Sequence, residues 1–306
     1  GILKPRGGPA GMLVRHGEIA ATWGDPSRID MTFSIAKSYL AVLAGLAVDD
    51  GLIKNIDAPV CETIDIAEFS GDQNSKITWR HLLTQTSEWT GTLFDKPDQV
   101  DHYRGVGAGS DNSRKGEKRP LHAPGDYWEY NDVRVNVFSL ALLHVFRRPL
   151  AEVLKERIMD PIGASDKWTW HGYANSVVTI DGKEMTSIPG GTHWGGGMWI
   201  DTFDHARFGL LIANEGNWNG TQLLSADWVQ AMRTPIDIYN AYGFLWWLNT
   251  GGEHYPSAPE TSFFALGAGS NLIWIDPELD IVGVFRWIDQ EHIDEMIGKM
   301  WAAIKA

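Results

Sequence analysis

The stretch from Ser34 to Asp49, SIAKSYLAVLAGLAVD, predicts a helix at the centre of the fold. Lys37 is its single charged residue before Asp49, and its apolar residues point in every direction around the helix axis. A helix that is apolar on all faces is buried rather than amphipathic. Gly51 ends the helix. The small residues of the helix would let it lie close against other backbone.

Short strands are predicted near both ends of the chain. Met12 to Arg15 and Glu18 to Trp23 flank a His16-Gly17 turn, which indicates a hairpin. The strands predicted in the C-terminal part lie at 242–248, 263–266, 272–276 and 281–287, and a final helix follows them. Strands at both ends with helices between them indicate an α+β fold: one antiparallel β-sheet built from both termini and flanked by helices, with an inserted mainly helical domain.

The middle of the chain is predicted to be mostly helical. Thr78 is expected to cap a short helix through Leu83, and the residues from Asp132 to Arg147 carry a long apolar pattern. Further helices are predicted after a capping residue at Asp201 or Thr202 and after Ser225.

Two domains follow from this distribution of elements. We predict a discontinuous α/β sandwich domain of residues 1–55 and 190–306, and a mainly helical domain of residues 56–189. Residues 95–120 are polar and rich in glycine and charge, without periodicity. A stretch of that length in a compact domain is usually a functional or a mobile loop.

The composition excludes several classes of function. The 306 residues include 26 Lys and Arg against 39 Asp and Glu, and the net charge of −13 disfavours binding to nucleic acid. No segment approaches the roughly 20 consecutive apolar residues of a membrane span. The chain begins at Gly1 without the pattern of a leader, so we expect a soluble protein, cytoplasmic or exported with its signal removed. Its oligomeric state stays open.

No metal or other cofactor is expected. Cys61 is the single cysteine, and the ten histidines show no ligand spacing such as HExxH. There is no GxSxG elbow, P-loop or dinucleotide fingerprint either, which disfavours an α/β-hydrolase or a nucleotide-binding protein.

Ser34 and Lys37 are the main candidates for chemistry. Burying an isolated ammonium is costly, so we expect Lys37 to have either a lowered pKa or a tight set of partners. Ser34 lies one turn before it on the same helix face, near the helix N-terminus. A desolvated lysine can serve as the base that activates a serine nucleophile. The alternative is a capping serine beside a lysine whose ammonium reaches solvent.

Two further segments carry candidate residues. Tyr130 follows the turn Pro124-Gly125 and precedes a helix, so its hydroxyl could relay a proton; otherwise it is a packed core aromatic. The segment from Ala265 to Gly269 ends a predicted strand with small residues, which could present a backbone N–H to a substrate carbonyl. Its alternative is a simple bulge or turn.

Together these segments resemble the three motifs of the penicillin-recognising serine hydrolases. The class C β-lactamase-like branch is most similar, with its esterases, D-amino-acid peptidases and 6-aminohexanoate-dimer hydrolases. The segments that carry the resemblance are Ser34-Ile35-Ala36-Lys37, Tyr130 after Pro124-Gly125, Ala265-Leu266-Gly267, Ile77 to Ser87, and Gly195 to Trp199 with the helix after Asp201. The resemblance covers nearly the whole chain and implies a β-lactamase/transpeptidase-like fold.

The resemblance also implies roles for individual residues. Ser34 would be the acylated nucleophile, Lys37 its base and Tyr130 the proton relay. The N–H groups of Ser34 and Ala268 would form the oxyanion hole. The residues expected to contact the substrate are Asn131, Asp132, Gly267 and Trp194. Tryptophans at 128, 168, 170, 194 and 199 could line a cleft or simply pack in the core.

Three departures from the family pattern bear on the substrate. Ala265 stands where the family carries Lys or His, and Asp132 stands where Asn is common. A third, Glu88, replaces a usual glycine. The lost cation and the added carboxylate disfavour anionic substrates, so we expect a serine hydrolase that cleaves a neutral ester or amide. The alternatives are a true β-lactamase or D-stereospecific peptidase with another cation, and a catalytically silent sensor module.

Overall fold

Both ends of the chain contribute to one antiparallel sheet in the computed structural model, which describes residues 6–106, 109–191 and 195–305. The strands in those ranges are β1 Ala10–Arg15, β2 Glu18–Trp23, β3 Asp30–Met31, β4 Thr92–Leu93, β5 Lys96–Pro97, β6 Thr169–His171, β7 Val177–Ile180, β8 Lys183–Thr186, β9 Gly197–Ile200, β10 Asn217–Trp218, β11 Thr221–Gln222, β12 Trp247–Leu248, β13 Phe263–Gly267, β14 Asn271–Asp276 and β15 Ile281–Arg286. The main sheet has the order β12-β13-β14-β15-β1-β2. Ala10 pairs with Arg286 and Arg15 with Ile281, so the first and last strands are neighbours.

The helices lie between and after these strands. They are α1 Ala36–Asp49, α2 Gly71–Asn74, α3 Trp79–Leu83, α4 Asp132–Phe146, α5 Leu150–Leu154, α6 Thr202–Ala213, α7 Ala226–Met232 and α8 Ile293–Lys305. The α+β fold class predicted from the sequence is confirmed. No helix within the described residues has the length and apolar character needed to cross a membrane.

The main sheet separates two apolar cores. Val282 and Val284 of β15 face the larger core, which contains α1, α4 and α6, whereas Phe285 faces the smaller core with Ile297 of α8. Successive side chains of a strand point to opposite faces of a sheet, so this alternation buries both faces. The result is a layer of helices on each side of the sheet.

Helix α1 lies deep in the larger core, as its sequence predicts. Every residue from Ala36 to Ala47 is buried, Lys37 included. The small residues allow close packing: a Cβ atom at Gly45 would lie 2.3 Å from Cδ1 of Trp228, whose Nε1 donates to the Ala41 carbonyl at 2.9 Å. The α-helix begins at Ala36 rather than Ser34, because a 3₁₀ turn, Phe33–Ile35, precedes it.

The predicted caps are confirmed. The hydroxyl of Thr78 accepts a hydrogen bond from the backbone N–H of His81, and Asp201 and Ser225 cap α6 and α7 in the same way. An oxygen that accepts from a free N–H of the first turn satisfies a group that has no partner inside the helix.

The predicted strand 242–248 is wrong for most of its length. Regular pairing covers only Trp247 and Leu248. Leu245 has a positive φ of 58° and its N–H donates to the Leu83 carbonyl, while Gly243 N–H donates to Trp246 O. The backbone therefore turns back on itself here and binds α3 instead of extending along the sheet. The division into two domains stays a prediction.

Candidate active site

Ser34 lies in the 3₁₀ turn that leads from β3 into α1. The residue before it, Phe33, has a φ of 52°, a left-handed conformation that is costly for a side chain of this size and typical of functional sites. Buried hydrogen bonds hold this segment: Thr32 Oγ1 lies 2.7 Å from Nε2 of His205, and Tyr39 Oη lies 2.9 Å from its Nδ1. Burial keeps the pKa of His205 well below its ordinary value, so this ring is neutral.

Lys37 contacts the candidate nucleophile directly. Its Nζ atom donates to Ser34 Oγ at 2.8 Å and to the Gly190 carbonyl at 2.9 Å, and its side chain is 2% exposed. The alternative of a lysine that reaches solvent is therefore wrong. A Cβ atom on Gly191 would lie 3.6 Å from this Nζ and 3.7 Å from Ser34 Oγ, so Gly191 borders the same space.

A buried carboxylate holds the charge of this lysine. Asp132 Oδ1 lies 2.5 Å from Lys37 Nζ, and Oδ2 accepts from Arg104 Nη1 at 2.6 Å. Burial alone would lower the pKa of Lys37, but the charge of Asp132 and its hydrogen bond to the ammonium outweigh this effect, so the pKa lies above the ordinary value. The expected set of partners is present, and the alternative expectation of a lowered pKa is wrong because Asp132 is so close.

Tyr130 packs over both cations. Its ring centre lies 4.8 Å from Lys37 Nζ and 5.1 Å from the guanidinium carbon of Arg104, and the residue is 4% exposed. On another side its ring lies 5.3 Å from that of Trp247. A cation over an aromatic face is attracted by the ring quadrupole, so these contacts fix the ring beside Lys37 and Ser34.

The end of β13 lies against the backbone of the nucleophile segment. A Cβ atom on Gly267 would be 2.3 Å from the Thr32 carbonyl oxygen and 3.3 Å from the Ser34 nitrogen, so this approach requires glycine. The carbonyl of the next residue, Ala268, accepts from Asn271 Nδ2 at 2.7 Å, which fixes the turn. The geometry therefore brings Ala268 and Gly267 beside Ser34, as the motifs predicted.

Arg286 joins this turn to the nucleophile segment. It is 2% exposed, and its Nε donates to Asn271 Oδ1 at 2.5 Å. Nη1 donates to the Ile200 carbonyl at 3.0 Å, and Nη2 donates to the Met31 carbonyl at 3.2 Å. One side chain thus connects β14, β9 and β3, so the turn after β13 and the strand before Ser34 are held in register.

A cavity of about 550 Å³ opens beside these groups. Ser34, Tyr130, Gly267 and Ala268 line it together with Arg104 from the loop of residues 95–120. A single concave space therefore contacts the candidate nucleophile, the phenol and the small-residue turn. Volumes of this size accommodate small-molecule ligands.

Asn131 and Trp194 are two of the residues predicted to contact the substrate. Asn131 is fully buried and caps α4: its Oδ1 accepts from Arg134 N–H at 3.2 Å, and its Nδ2 donates to the Asp98 carbonyl at 2.8 Å. The side chain of Asn131 is thus bonded within the protein, and its contact with the substrate stays a prediction. Trp194 lies outside the described residues.

Several lining residues had no signal in the sequence. Among the described residues, Trp247 is a tryptophan that lines the cavity, whereas Trp168 and Trp170 lie in the larger core. Arg104 belongs to the loop of residues 95–120, which the sequence predicts to be functional or mobile, but nothing in its spacing pointed to Asp132. Pairing between such distant positions is a tertiary contact and has no local pattern.

Glu88 attaches the loop of residues 95–120 to the helices through buried ion pairs. Its φ of 48° is left-handed, the conformation that glycine adopts most readily. Oε1 accepts from Arg119 Nη2 at 2.5 Å and from Arg134 Nη1 at 2.6 Å, and Oε2 accepts from Arg119 Nη1 at 2.7 Å. Burial would raise the pKa of this carboxyl, but the two arginines lower it to about 2. Since Arg119 ends the loop, this buried ion pair holds the loop to the helical region.

Comparison with known proteins agrees with this geometry. The sequence profile of the Beta-lactamase family matches residues 12–290. The chain belongs to the beta-lactamase family. An uncharacterised protein of Mycobacterium tuberculosis is 24% identical over 151 residues, which are 43% of this chain and 37% of that protein. The chain thus spans less than two thirds of the length of this curated relative.

Solved structures share the beta-lactamase fold along nearly the whole chain. A penicillin-binding protein homologue from Caulobacter crescentus aligns with a TM-score of 0.68 at 16% identity, over 97% of this chain and 92% of that one. A hydrolase with promiscuous acyltransferase activity aligns with a TM-score of 0.65 at 16% identity, over 95% and 93%. The resemblance stated from the motifs is thereby confirmed for family and fold.

Proposed function

We propose that this protein is a serine hydrolase that cleaves an ester or an amide through an acyl-enzyme on Ser34. The observation that carries the proposal is the 2.8 Å contact between Ser34 Oγ and Lys37 Nζ at the wall of the cavity. A hydroxyl in contact with a buried proton-transfer group is the arrangement that nucleophilic catalysis requires. Membership of the beta-lactamase family and similarity to a known hydrolase support it.

The first step forms a bond between Ser34 Oγ and the substrate carbonyl carbon. Because Lys37 is an ammonium, it accepts the serine proton as it passes one of its own to Asp132 Oδ1, 2.5 Å away. The N–H groups of Ser34 and Ala268 are proposed to stabilise the oxyanion. Tyr130 then protonates the leaving oxygen or nitrogen as its bond to carbon breaks, and Lys37 reprotonates the phenol with the proton that Asp132 returns.

Water completes the cycle by attack on the acyl-enzyme. Its proton passes through the same groups to Ser34 Oγ as the ester bond breaks, so that the acid is released and the hydroxyl restored. In this scheme Asp132 serves as the acceptor that a protonated lysine needs, rather than as the substrate contact predicted from the motifs.

The site disfavours substrates whose carboxylate must bind an unpaired cation of the protein. Ala265 is fully buried in β13 and offers no charge. Arg104 lines the cavity, but Asp132 lies 2.6 Å from its Nη1 and Asp101 3.4 Å. Both carboxylates hold this guanidinium in place, and each also pairs with a lysine, Asp132 with Lys37 and Asp101 with Lys115. With Arg104 held in this way and no charge at position 265, a neutral ester or amide is proposed to fit better than an anionic β-lactam.

Arg104 also favours a second candidate function, that of a true β-lactamase or D-peptidase. It is a cation on the cavity wall, and its other nitrogens could bind a substrate carboxylate. Parallel assays of a short-chain p-nitrophenyl ester and a chromogenic cephalosporin separate the two functions. Faster turnover of the cephalosporin would favour the second candidate.

Labelling with a fluorophosphonate tests the nucleophile itself. The folded protein should react once, at Ser34, as mapped by mass spectrometry. Ser34→Ala should keep its thermal transition and lose both labelling and ester turnover. A folded protein that stays unlabelled would instead be a silent sensor.

A further inference from the structure

The cavity beside Ser34 has a second charged wall that the proposed chemistry does not use. Glu253, an exposed residue at the end of the 3₁₀ turn Thr250–Gly252, lies on this wall with Tyr239, Trp247 and Tyr255. Tyr239 donates its hydroxyl to Glu253 Oε1 at 2.8 Å. Burial and this carboxylate both raise the pKa of Tyr239, so its hydroxyl stays a donor and holds Glu253 in place.

No cation of the protein balances this carboxylate within residues 6–106, 109–191 and 195–305. His254 is adjacent in sequence, but burial lowers the pKa of its ring, and its Nε2 donates to the Ala241 carbonyl at 3.1 Å. Arg104 lines the same cavity, yet it is paired with Asp132 and Asp101. Glu253 is therefore a carboxylate on the cavity wall that is left for a cationic ligand.

The cavity walls next to Glu253 are aromatic, and neighbouring rings pack against them. Trp247 packs edge-on against the His254 ring at 5.1 Å, and Tyr239 packs against Trp128 at 4.7 Å. Tyr255 is held in the same way by Phe264, at 4.9 Å. Aromatic faces beside a carboxylate attract organic cations through the ring quadrupole as well as through charge.

We propose that Glu253, Tyr239, Trp247 and Tyr255 bind an ammonium group of the substrate, so that the protein hydrolyses cationic amino esters or amides. This inference rests on the proposed hydrolase function and names its substrate class. It departs from the uncharged substrate that the motifs alone indicate. Ser34 lines the same cavity, so one substrate can reach both the nucleophile and the ammonium subsite.

Two isosteric esters test the subsite. The p-nitrophenyl ester of 4-(trimethylammonio)butanoic acid carries a quaternary nitrogen where the ester of 5,5-dimethylhexanoic acid carries a quaternary carbon. We expect kcat/KM of the native protein to favour the cationic ester by about tenfold. Glu253→Gln should remove this preference by slowing the cationic ester much more than the neutral ester. Glu278→Gln, at an exposed carboxylate in the turn between β14 and β15 that does not line the cavity, is the matched control and should keep the preference.

A binding measurement separates this inference from the hydrolase proposal. Calorimetric titration of Ser34→Ala with each ester gives the affinity ratio without turnover. Tighter binding of the cationic ester that Glu253→Gln abolishes supports the subsite, even if the native protein cleaves neither ester and the hydrolase proposal fails. Equal affinities, or a preference that survives Glu253→Gln, would overturn the inference even if both esters are cleaved.

Discussion

Asp132 lies 2.5 Å from the ammonium of Lys37, so the lysine beside the candidate nucleophile is one half of a buried ion pair. An unpaired buried lysine tends to lose its proton, whereas this one keeps it because the carboxylate stabilises the charged form. In the proposed mechanism, proton transfer from Ser34 therefore depends on both members of the pair.

Asp132→Asn tests this dependence. Without the carboxylate, burial and the nearby Arg104 lower the pKa of Lys37. We expect kcat/KM for an ester to fall about 100-fold at pH 7, the scale of a lost general base. Activity should recover as the pH rises, because the free amine can then act as base. Rate profiles between pH 6 and 10 measure this, with Asp72→Asn in exposed α2 as the control. A native rate and profile in Asp132→Asn would remove Asp132 from the mechanism.

Gly267→Ala should disturb the site through the backbone. Its methyl would lie 2.3 Å from the Thr32 carbonyl oxygen, so the end of β13 must move away from Ser34. We expect a loss of about 1–3 kcal/mol in the free energy of unfolding. Turnover should also fall strongly, because Ala268 moves with the strand. Denaturant titration and ester kinetics report the two effects. Gly8→Ala, where an added Cβ meets nothing within 4 Å, should change neither. Unchanged turnover in Gly267→Ala would separate this turn from catalysis.

Gly191→Ala should leave the fold intact and impair the site. Its methyl would lie at contact distance from three groups, 3.6 Å from Lys37 Nζ, 3.7 Å from Ser34 Oγ and 3.8 Å from Asp132 Oδ1. It would fill space beside the nucleophile without a clash. We expect an unchanged melting temperature with slower fluorophosphonate labelling of Ser34. Labelling at the native rate would show that substrate approaches Ser34 from another side.

Acid should weaken the anchor of the loop at Glu88. The pKa of this carboxyl is lowered from about 4.5 to about 2, so its stabilising contribution is complete above pH 4.5 and is lost as the pH falls toward 2. Glu88→Gln should destabilise the protein at pH 7 by about 3 kcal/mol, because it breaks a buried ion pair. The difference from the native protein should shrink between pH 4.5 and pH 2. Urea titrations across that range measure it. Glu184→Gln, on the exposed face of β8, should show no such trend, and a constant difference for Glu88→Gln would contradict the assignment.

The sequence predicted the elements whose signals are local. The buried character of α1, the caps of α3, α6 and α7, and the strands near both ends all follow from periodicity and from single capping residues. The strand expected from residue 242 failed because its apolar residues bind α3 and the core while the backbone turns at Leu245. Hydrophobicity identifies burial there but does not decide the path of the backbone.

The sequence predicted only part of the candidate site, for a similar reason. Ser34 and Lys37 share one helical turn, so their contact follows from helix geometry. The pairing of Lys37 with Asp132, and of Asp132 with Arg104, joins residues far apart in the chain. These tertiary contacts set the protonation of the lysine, which is why its pKa is raised although burial alone would lower it. Glu253 joins the cavity through the same kind of contact.

The pairing of β1 with β15 has a consequence for biosynthesis. The ribosome releases β1, β2 and the apolar segment of α1 before the other described elements, but Ala10 can bind its partner Arg286 only after almost all described residues have emerged. Until then a hydrophobic segment and an open strand edge lack their native partners, which exposes the nascent chain to aggregation. Folding of the main sheet is therefore completed late, and contacts of such large sequence separation make it slow.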